Sequence, residues 1–256
     1  MNFQTQRHFV RLSLEQRIQH WLLVGSFILL TITGIPMRVP NVEWLGAIYA
    51  LFGGLQGARI VHRIAAVVMI GDGILHLVYI GRLLVRHKYK IFEAWTMIPT
   101  KKDAQDWWET TKYYFGFQKQ LPQYDRFNFR EKFDYFAVFW GLPVMMISGL
   151  ILWFPVYFGN ILPDISIGMA YIAHSDEAIL AISAIVVWHF YNVHYNPDKF
   201  PMSWVWWDGK ISEEEIQLEH PLEYERILAQ ERESADRESA EPESALPEHK
   251  QSSAQS

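Results

Sequence analysis

The stretch His174-Ser-Asp-Glu-Ala-Ile-Leu-Ala-Ile-Ser-Ala-Ile-Val-Val-Trp-His189 is an apolar run with a histidine at each end. An α-helix over these residues rises about 22 Å and turns about 1500°, so the two imidazoles lie about 60° apart on one side. That rise is comparable with the hydrocarbon layer of a bilayer, which is about 30 Å thick. The stretch therefore predicts a membrane helix with one histidine near each face.

A second stretch, His62-Arg-Ile-Ala-Ala-Val-Val-Met-Ile-Gly-Asp-Gly-Ile-Leu-His76, repeats this arrangement at a spacing of fourteen residues. In an α-helix that spacing rises about 21 Å and falls about 40° short of whole turns. Imidazoles from facing helices of a bundle can fill both axial positions of haem b. Two such helices side by side predict two stacked haems. The alternative is that these histidines only pack or hydrogen bond between helices.

Half of the 256 residues are hydrophobic and 15% are aromatic, and the apolar residues are clustered along the chain. Hydropathy predicts four transmembrane spans, at about residues 21–37, 64–84, 136–158 and 171–191. We therefore predict an all-α transmembrane four-helix bundle within residues 1–230, with an extended cytoplasmic loop. Residues 231–256 form an acidic, low-complexity segment that we expect to be disordered.

No cysteine is present, which excludes disulfides, iron–sulfur ligation by this chain and the covalent attachment of c-type haem. The sequence shows no signature of nucleic-acid binding. Lysine and arginine are frequent before the first span and over residues 81–132, whereas residues 159–173 contain neither. The positive-inside rule then places both termini and the 81–132 loop in the cytoplasm of a bacterium, with the chain in the cytoplasmic (inner) membrane.

Four charged or titratable side chains in or beside the spans are further candidates. Asp72 and His76 lie one turn apart near the inner face, where we expect them to supply protons to a quinone. The alternative for both is an ordinary packing or hydrogen-bonding role. Arg17 and Arg63 are placed to pair with haem propionates, or they are ordinary interfacial arginines.

Several segments together resemble a known family: Glu15-Gln-Arg-Ile-Gln-His20-Trp21, Val61-His62-Arg63, His174 with His189, Asp208-Gly-Lys-Ile-Ser, and Glu219-His-Pro-Leu-Glu-Tyr-Glu-Arg. The chain resembles the cytochrome b (gamma) subunit of membrane-bound respiratory formate dehydrogenases and the related cytochrome b subunits of nickel–iron hydrogenases. The resemblance implies four transmembrane helices, two b haems and a quinone site near the inner haem. It also implies that His62 and His174 bind the outer haem and that His20 and His189 bind the inner one.

Two features depart from the formate dehydrogenase pattern. The histidines of the fourth span are fifteen residues apart where fourteen are expected, and His76 and His194 are additional. His76 lies fourteen residues after His62, and His189 lies fifteen after His174, so His76 and His189 lie at nearly the same depth in the membrane. Depth therefore favours His76 as the metal ligand opposite His189. The resemblance favours His20 instead, and leaves His76 for the quinone or for a third haem.

These observations predict a b-type cytochrome subunit of a respiratory oxidoreductase complex. It would carry electrons between a partner redox subunit, either an iron–sulfur protein or a multihaem cytochrome, and menaquinone or ubiquinone. We predict no substrate chemistry for this chain beyond quinone redox. The competing hypothesis is a haem-free membrane scaffold or a proton-relay subunit of a transport complex.

Overall fold

The computed structural model describes residues 7–39, 41–93, 96–197 and 199–240. Its elements follow in chain order: β1 (His8–Val10), α1 (Leu14–Arg38), α2 (Glu43–Leu51), α3 (Leu55–Arg86), α4 (Lys101–Tyr114), α5 (Phe129–Trp153), α6 (Pro155–Gly159), α7 (Ile165–Ser183), two π-helical segments (Ala184–His189 and Tyr191–Tyr195), α8 (Val205–Asp208), β2 (Lys210–Ser212), α9 (Glu213–Glu219) and α10 (Pro221–Ala240). Helices α1, α3, α5 and α7 with its π-helical continuation are long and apolar enough to cross a membrane. The predicted all-α four-helix bundle is confirmed.

The ends of the membrane helices follow from local sequence. Ser13 and Gln16 form a reciprocal cap, so α1 begins at Leu14, well before the apolar run. The third span was predicted to reach residue 158, but α5 ends at Trp153. Pro155 explains the difference, because proline lacks an amide hydrogen and disfavours a helical conformation in the residue before it.

The four membrane helices associate as two pairs, α1 with α3 and α5 with α7, and contacts between the pairs are fewer. Small or hydroxyl-bearing side chains are buried where the helices meet, among them Ser26, Thr33, Ala65 and Ser148. Large apolar side chains of the spans are widely exposed on the bundle surface. This is the pattern of a membrane bundle, in which small residues allow close helix packing while large apolar ones face lipid.

A small polar assembly covers one end of the bundle. Strand β1 pairs antiparallel with β2, so that Phe9 lies opposite Ile211. Behind this sheet, Arg11 Nη1 donates a 2.6 Å hydrogen bond to Glu223, and the Glu223 side chain is only 4% exposed. Neither the strands nor this buried ion pair was predicted from the sequence, because both join residues about two hundred positions apart.

His220 belongs to the same assembly and lies 3.1 Å from Arg11 Nη2 through its Nε2 atom. Burial lowers the pKa of His220, and the neighbouring Arg11 cation lowers it further. The His220 Nδ1 atom is 2.7 Å from the main-chain oxygen of Asp125, which suits a neutral ring that donates from Nδ1.

Disorder was predicted from residue 231, whereas α10 continues to Ala240. Alanine, glutamate and arginine favour helix, and Glu233 and Arg237 form an i,i+4 ion pair. The rest of the predicted disordered segment lies outside the described residues.

Candidate functional site

The structure brings together the two histidines that lie near the end of the bundle predicted to face outward, which we call the outer end. The rings of His62 on α3 and His174 on α7 have centroids 6.3 Å apart, with an angle of 62° between their planes. They come from different helix pairs, so they face each other across the seam between the pairs. No stretch of chain local to either histidine determines this approach.

Each outer histidine contacts a hydroxyl group on the neighbouring helix. His62 Nδ1 lies 2.9 Å from Thr33 Oγ1, and His174 Nδ1 lies 3.1 Å from Ser148 Oγ. Both hydroxyls also donate 2.6 Å hydrogen bonds to carbonyl oxygens of their own helices. Because the hydroxyl hydrogen is already used, the hydroxyl oxygen accepts from Nδ1–H. This arrangement selects the tautomer whose Nε2 lone pair is free to bind a metal.

A glycine follows each of these hydroxyl residues. A Cβ atom at Gly34 would lie 3.3 Å from Cε1 of His62, and one at Gly149 would lie 3.1 Å from Cε1 of His174. The glycines therefore allow each imidazole to lie close against the neighbouring helix. The sequence analysis assigned these residues no role. The signal was a hydroxyl–glycine dipeptide in both the first and third spans.

The opposite end of the bundle, which we call the inner end, holds His20, His76 and His189. His189 Nδ1 lies 3.1 Å from Asp134 Oδ2, so its partner is a carboxylate. His20 is near enough to His189 for the two rings to interact electrostatically, and its buried Nδ1 atom has no hydrogen-bond partner within the described part of the chain. Asp134 was not predicted as a site residue. Asp134 lies six residues past the helix cap at Asn128, and no local sequence pattern identifies it as a site residue.

The π-helical segment Ala184–His189 lies between the two histidines of the fourth span. An inserted residue would rotate the rest of an α-helix by about 100°. A π-helical turn closes i to i+5 hydrogen bonds and so accommodates one extra residue without that rotation. The angle of about 60° calculated for an uninterrupted α-helix therefore does not apply to His174 and His189.

His76 uses both of its ring nitrogens in hydrogen bonds. Nδ1 lies 2.8 Å from Gln19 Oε1, and Nε2 lies 3.0 Å from the Tyr135 hydroxyl. Asp72, one turn away, is 6% exposed, and its Oδ1 atom has no partner among the described residues. His76 thus joins α1, α3 and α5 in a polar layer.

The model of the prokaryotic cytochrome b561 family matches residues 11–199 of the chain. The chain belongs to this family. It is similar to the cytochrome b556(fdo) subunit of formate dehydrogenase from Escherichia coli (strain K12), with 28% identity over 182 residues, covering 71% of this chain and 77% of that protein. The nitrate-inducible cytochrome b556(Fdn) subunit of the same strain is 25% identical over 218 residues, covering 85% and 91%.

A formate dehydrogenase cytochrome b556 subunit from Haemophilus influenzae is 24% identical over 175 residues, covering 68% of this chain and 66% of that protein. The resemblance inferred from sequence is confirmed. This member of the cytochrome b561 family is an integral inner-membrane cytochrome b with an electron-transfer role, and its family binds haem b.

The two candidate arginines of this cytochrome lie in different surroundings. Arg17 Nη1 donates to the Trp207 carbonyl at 2.7 Å, and the buried Nε atom of Arg17 has no partner among the residues that the structure describes. The guanidinium of Arg63 lies 5.2 Å from the centroid of the Trp153 ring, a cation–π contact at the outer end.

Other buried nitrogens at the inner end have no hydrogen-bond partner among the described residues. These include His194 Nδ1 and Trp206 Nε1, in two rings whose centroids are 6.5 Å apart. A buried N–H without an acceptor costs about 1–3 kcal/mol. The Trp206 ring packs 4.8 Å from that of Trp21, the residue after His20, so its N–H fits a bound group that carries acceptor oxygens, as the propionates of a haem do.

Proposed function

We propose that this cytochrome holds two haems b, one between His62 and His174 and one between His20 and His189, and passes electrons between a partner redox subunit and the quinone pool. The approach of His62 and His174 carries the proposal. Two nitrogen ligands about 2 Å from one metal ion place their ring centroids about 6 Å apart, and the observed separation is 6.3 Å. Bound haem b supplies reversible one-electron transfer.

The hydrogen bonds of the histidines support the same assignment. Thr33 and Ser148 hold the outer rings in the metal-binding tautomer, and Asp134 does so for His189. At the inner end, His20 rather than His76 fits opposite His189, because both nitrogens of His76 already have partners. Arg17, His194 and Trp206 offer buried donors to the carboxylates of the inner haem.

His76 and Asp72 fit a role on the quinone side. A surface groove of about 290 Å³ lies between α1 and α3, and its walls include Leu14, Glu15, Ile18 and Leu75. Gln19 lines the groove and hydrogen bonds to His76, so a head group there would meet this polar layer. Reduction of a quinone takes up two electrons and two protons. Asp72 lies one turn from His76, and its Oδ1 atom has no partner among the described residues, so its carboxyl is placed to pass protons to this layer.

The partner and the orientation are further parts of the proposal. Similar proteins are subunits of formate dehydrogenases, which supports an iron–sulfur or multihaem partner for this chain. The lysine- and arginine-rich segment between α3 and α5 supports a cytoplasmic location for the inner end and for both termini. A partner at the outer end would then meet the His62–His174 site.

Haem content and optical spectra of single variants test the ligand assignment. The purified full chain should show a b-type reduced-minus-oxidised spectrum and two haems per chain. His62→Ala and His20→Ala should each lose one low-spin haem, while the matched variant His76→Ala should keep both. If His20→Ala keeps both haems and His76→Ala loses one, the inner ligand is His76 and the assignment fails.

A further inference from the structure

Helix α4 lies between the second and third spans and buries polar side chains. Asp103, Asp106 and Thr110 are buried, and their spacing places them on one face. Trp108, five residues after Asp103 and about 140° around the helix, is 56% exposed. A helix on a water-soluble domain normally has the reverse arrangement, with its apolar side chains inward.

The buried face of α4 is fastened to the start of the third span. Asp103 Oδ2 accepts a 2.9 Å hydrogen bond from Lys132 Nζ, in the first turn of α5. Burial acts to raise the pKa of Asp103, but the hydrogen bonds from Lys132 and Thr100 outweigh it and hold the pKa below its usual value. The charged carboxylate therefore anchors α4 beside the end of a membrane span.

A second contact holds the other half of the helix at the same place. The Thr110 hydroxyl lies 2.7 Å from the Tyr124 hydroxyl. The Tyr124 ring packs against Phe129, the first residue of α5, with centroids 6.2 Å apart. Both contacts keep α4 near the level at which α5 enters the membrane.

Exposed aromatic side chains continue past the end of α4. We call the set the aromatic surface of α4: Trp107, Trp108, Tyr114, Phe115 and Phe117. Trp108 and Phe115 lie about 20° apart on the side away from the buried polar residues, Trp107 and Tyr114 lie at the edge of the polar face, and Phe117 follows the helix. Phe117 is 82% exposed, and lysines flank the set at positions 101, 112 and 119. Exposed apolar patches of this kind mark binding surfaces. Tryptophan and tyrosine concentrate at the level of lipid head groups, and lysine is attracted to anionic lipids.

We propose that the aromatic surface of α4 is inserted into the head-group layer of an anionic phospholipid bilayer, so that this segment lies on the membrane. The position of α4 beside a span, its aromatic side chains and its flanking lysines all suit lipid. A water-soluble partner domain is the rival occupant. The proposal requires only that the chain is an integral membrane protein. It does not depend on the haem and quinone assignments, so its failure would not affect them.

The absence of cysteine makes the test direct. Trp108→Cys and Phe117→Cys, each carrying a spin label, would be reconstituted as full-length chain in vesicles of phosphatidylethanolamine and phosphatidylglycerol. Collision rates with oxygen, which concentrates in lipid, and with a water-soluble nickel chelate report the depth of the label. Ser234→Cys on the exposed part of α10 is the aqueous control, and Val67→Cys on the lipid-facing side of α3 is the bilayer control.

The proposal predicts an oxygen-to-nickel ratio at positions 108 and 117 severalfold above that of the Ser234→Cys control. Phe117 lies outside the helices, so its variant remains informative if the Trp108 variant folds poorly. A ratio at both positions equal to the aqueous control overturns the proposal. Labels that are exposed in vesicles and become shielded only when partner subunits are added would identify a protein interface and also overturn it.

Discussion

The outer and inner ends of the bundle support their histidines by different means. At the outer end, His62 and His174 each contact a neutral hydroxyl from a neighbouring helix. At the inner end, His189 contacts the carboxylate of Asp134, and His20 Nδ1 has no partner in the described ranges. The outer pair is therefore nearly symmetrical in its surroundings, whereas the inner pair is not.

This difference has an electrostatic consequence under the proposed function. A hydroxyl sets the tautomer and orientation of an imidazole without adding charge. A carboxylate does the same and also makes the imidazole a stronger electron donor to its metal. A stronger electron donor stabilises the oxidised, more positive metal ion. We therefore expect the inner site to have a lower reduction potential than it would have with a neutral residue at position 134.

The largest expected effect comes from filling the space beside His174 at the outer site with a larger side chain. Gly149→Val places a branched side chain where even a Cβ atom would lie 3.1 Å from the His174 ring. We expect the outer haem to be lost and the inner one retained, as measured by haem content and optical spectra. Gly25→Val is the matched control, because a Cβ atom at Gly25 meets nothing within 4 Å. Retention of both haems in Gly149→Val would show that the close approach is not required.

The next largest effect should be confined to the inner end. Asp72→Asn removes a carboxyl that can transfer protons, and general acid–base groups contribute about 10²-fold or more to rate. We expect quinone turnover by the intact complex to fall by about that factor while both haem spectra stay unchanged. Asp176→Asn, at an exposed ion pair with Arg38, is the control and should leave turnover unchanged. Equal turnover in the unmodified protein, Asp72→Asn and Asp176→Asn would show that Asp72 has only a structural role.

A smaller and more selective effect is expected from Asp134→Asn. The amide can still contact His189 but carries no charge, so the potential of the inner haem should rise by about 60 mV, roughly a tenfold change for a one-electron couple. Redox titration with optical detection resolves the two haems, and the outer potential should not move. A shift of both potentials, or of neither, would show that the two ends are not tuned separately.

The smallest effect is expected at the outer hydroxyls. Ser148→Ala removes the acceptor that orients His174, and loss of such supporting groups weakens metal binding by about 10–100-fold. Tight haem binding in a packed site should hide most of this loss at equilibrium, so we expect full haem content but faster transfer to apomyoglobin from the outer site. Ser175→Ala is the control, because Ser175 is one residue past His174 and its hydroxyl bonds only within its own helix turn. Equal transfer rates would mean that packing alone orients the ring.

The hydropathy pattern predicted the bundle well, because its signal is local, and the histidine spacing, which is equally local, supplied the candidate ligands that remain a prediction. Apolar runs of span length and histidines near their ends can be read from one stretch at a time. Two details differed from the prediction for local reasons: Pro155 ends α5 early, and residues 231–240 stay helical because their alanine, glutamate and arginine residues favour helix.

The hydrogen-bond partners of the histidines could not be predicted in this way. Thr33, Asp134 and Ser148 lie on helices other than those of the histidines they contact, at sequence separations of 29, 55 and 26 residues. Which side chains meet at a given depth depends on how the helices are rotated and offset against each other. A shift of one residue would move each hydroxyl about 100° away from its ring.

By itself, the sequence determined that this chain has four membrane helices, that histidines lie near the ends of three of them, and that it resembles a cytochrome b family. The helices and the histidine positions follow from apolar length and residue spacing along single stretches, and the resemblance rests on several short segments taken together. Only the structure decided that a π-helical segment leads up to His189, that His76 is held between Gln19 and Tyr135, and that the two ends differ in charge. The partners of His76 and His189 depend on how the helices pack against each other, and no single stretch encodes them.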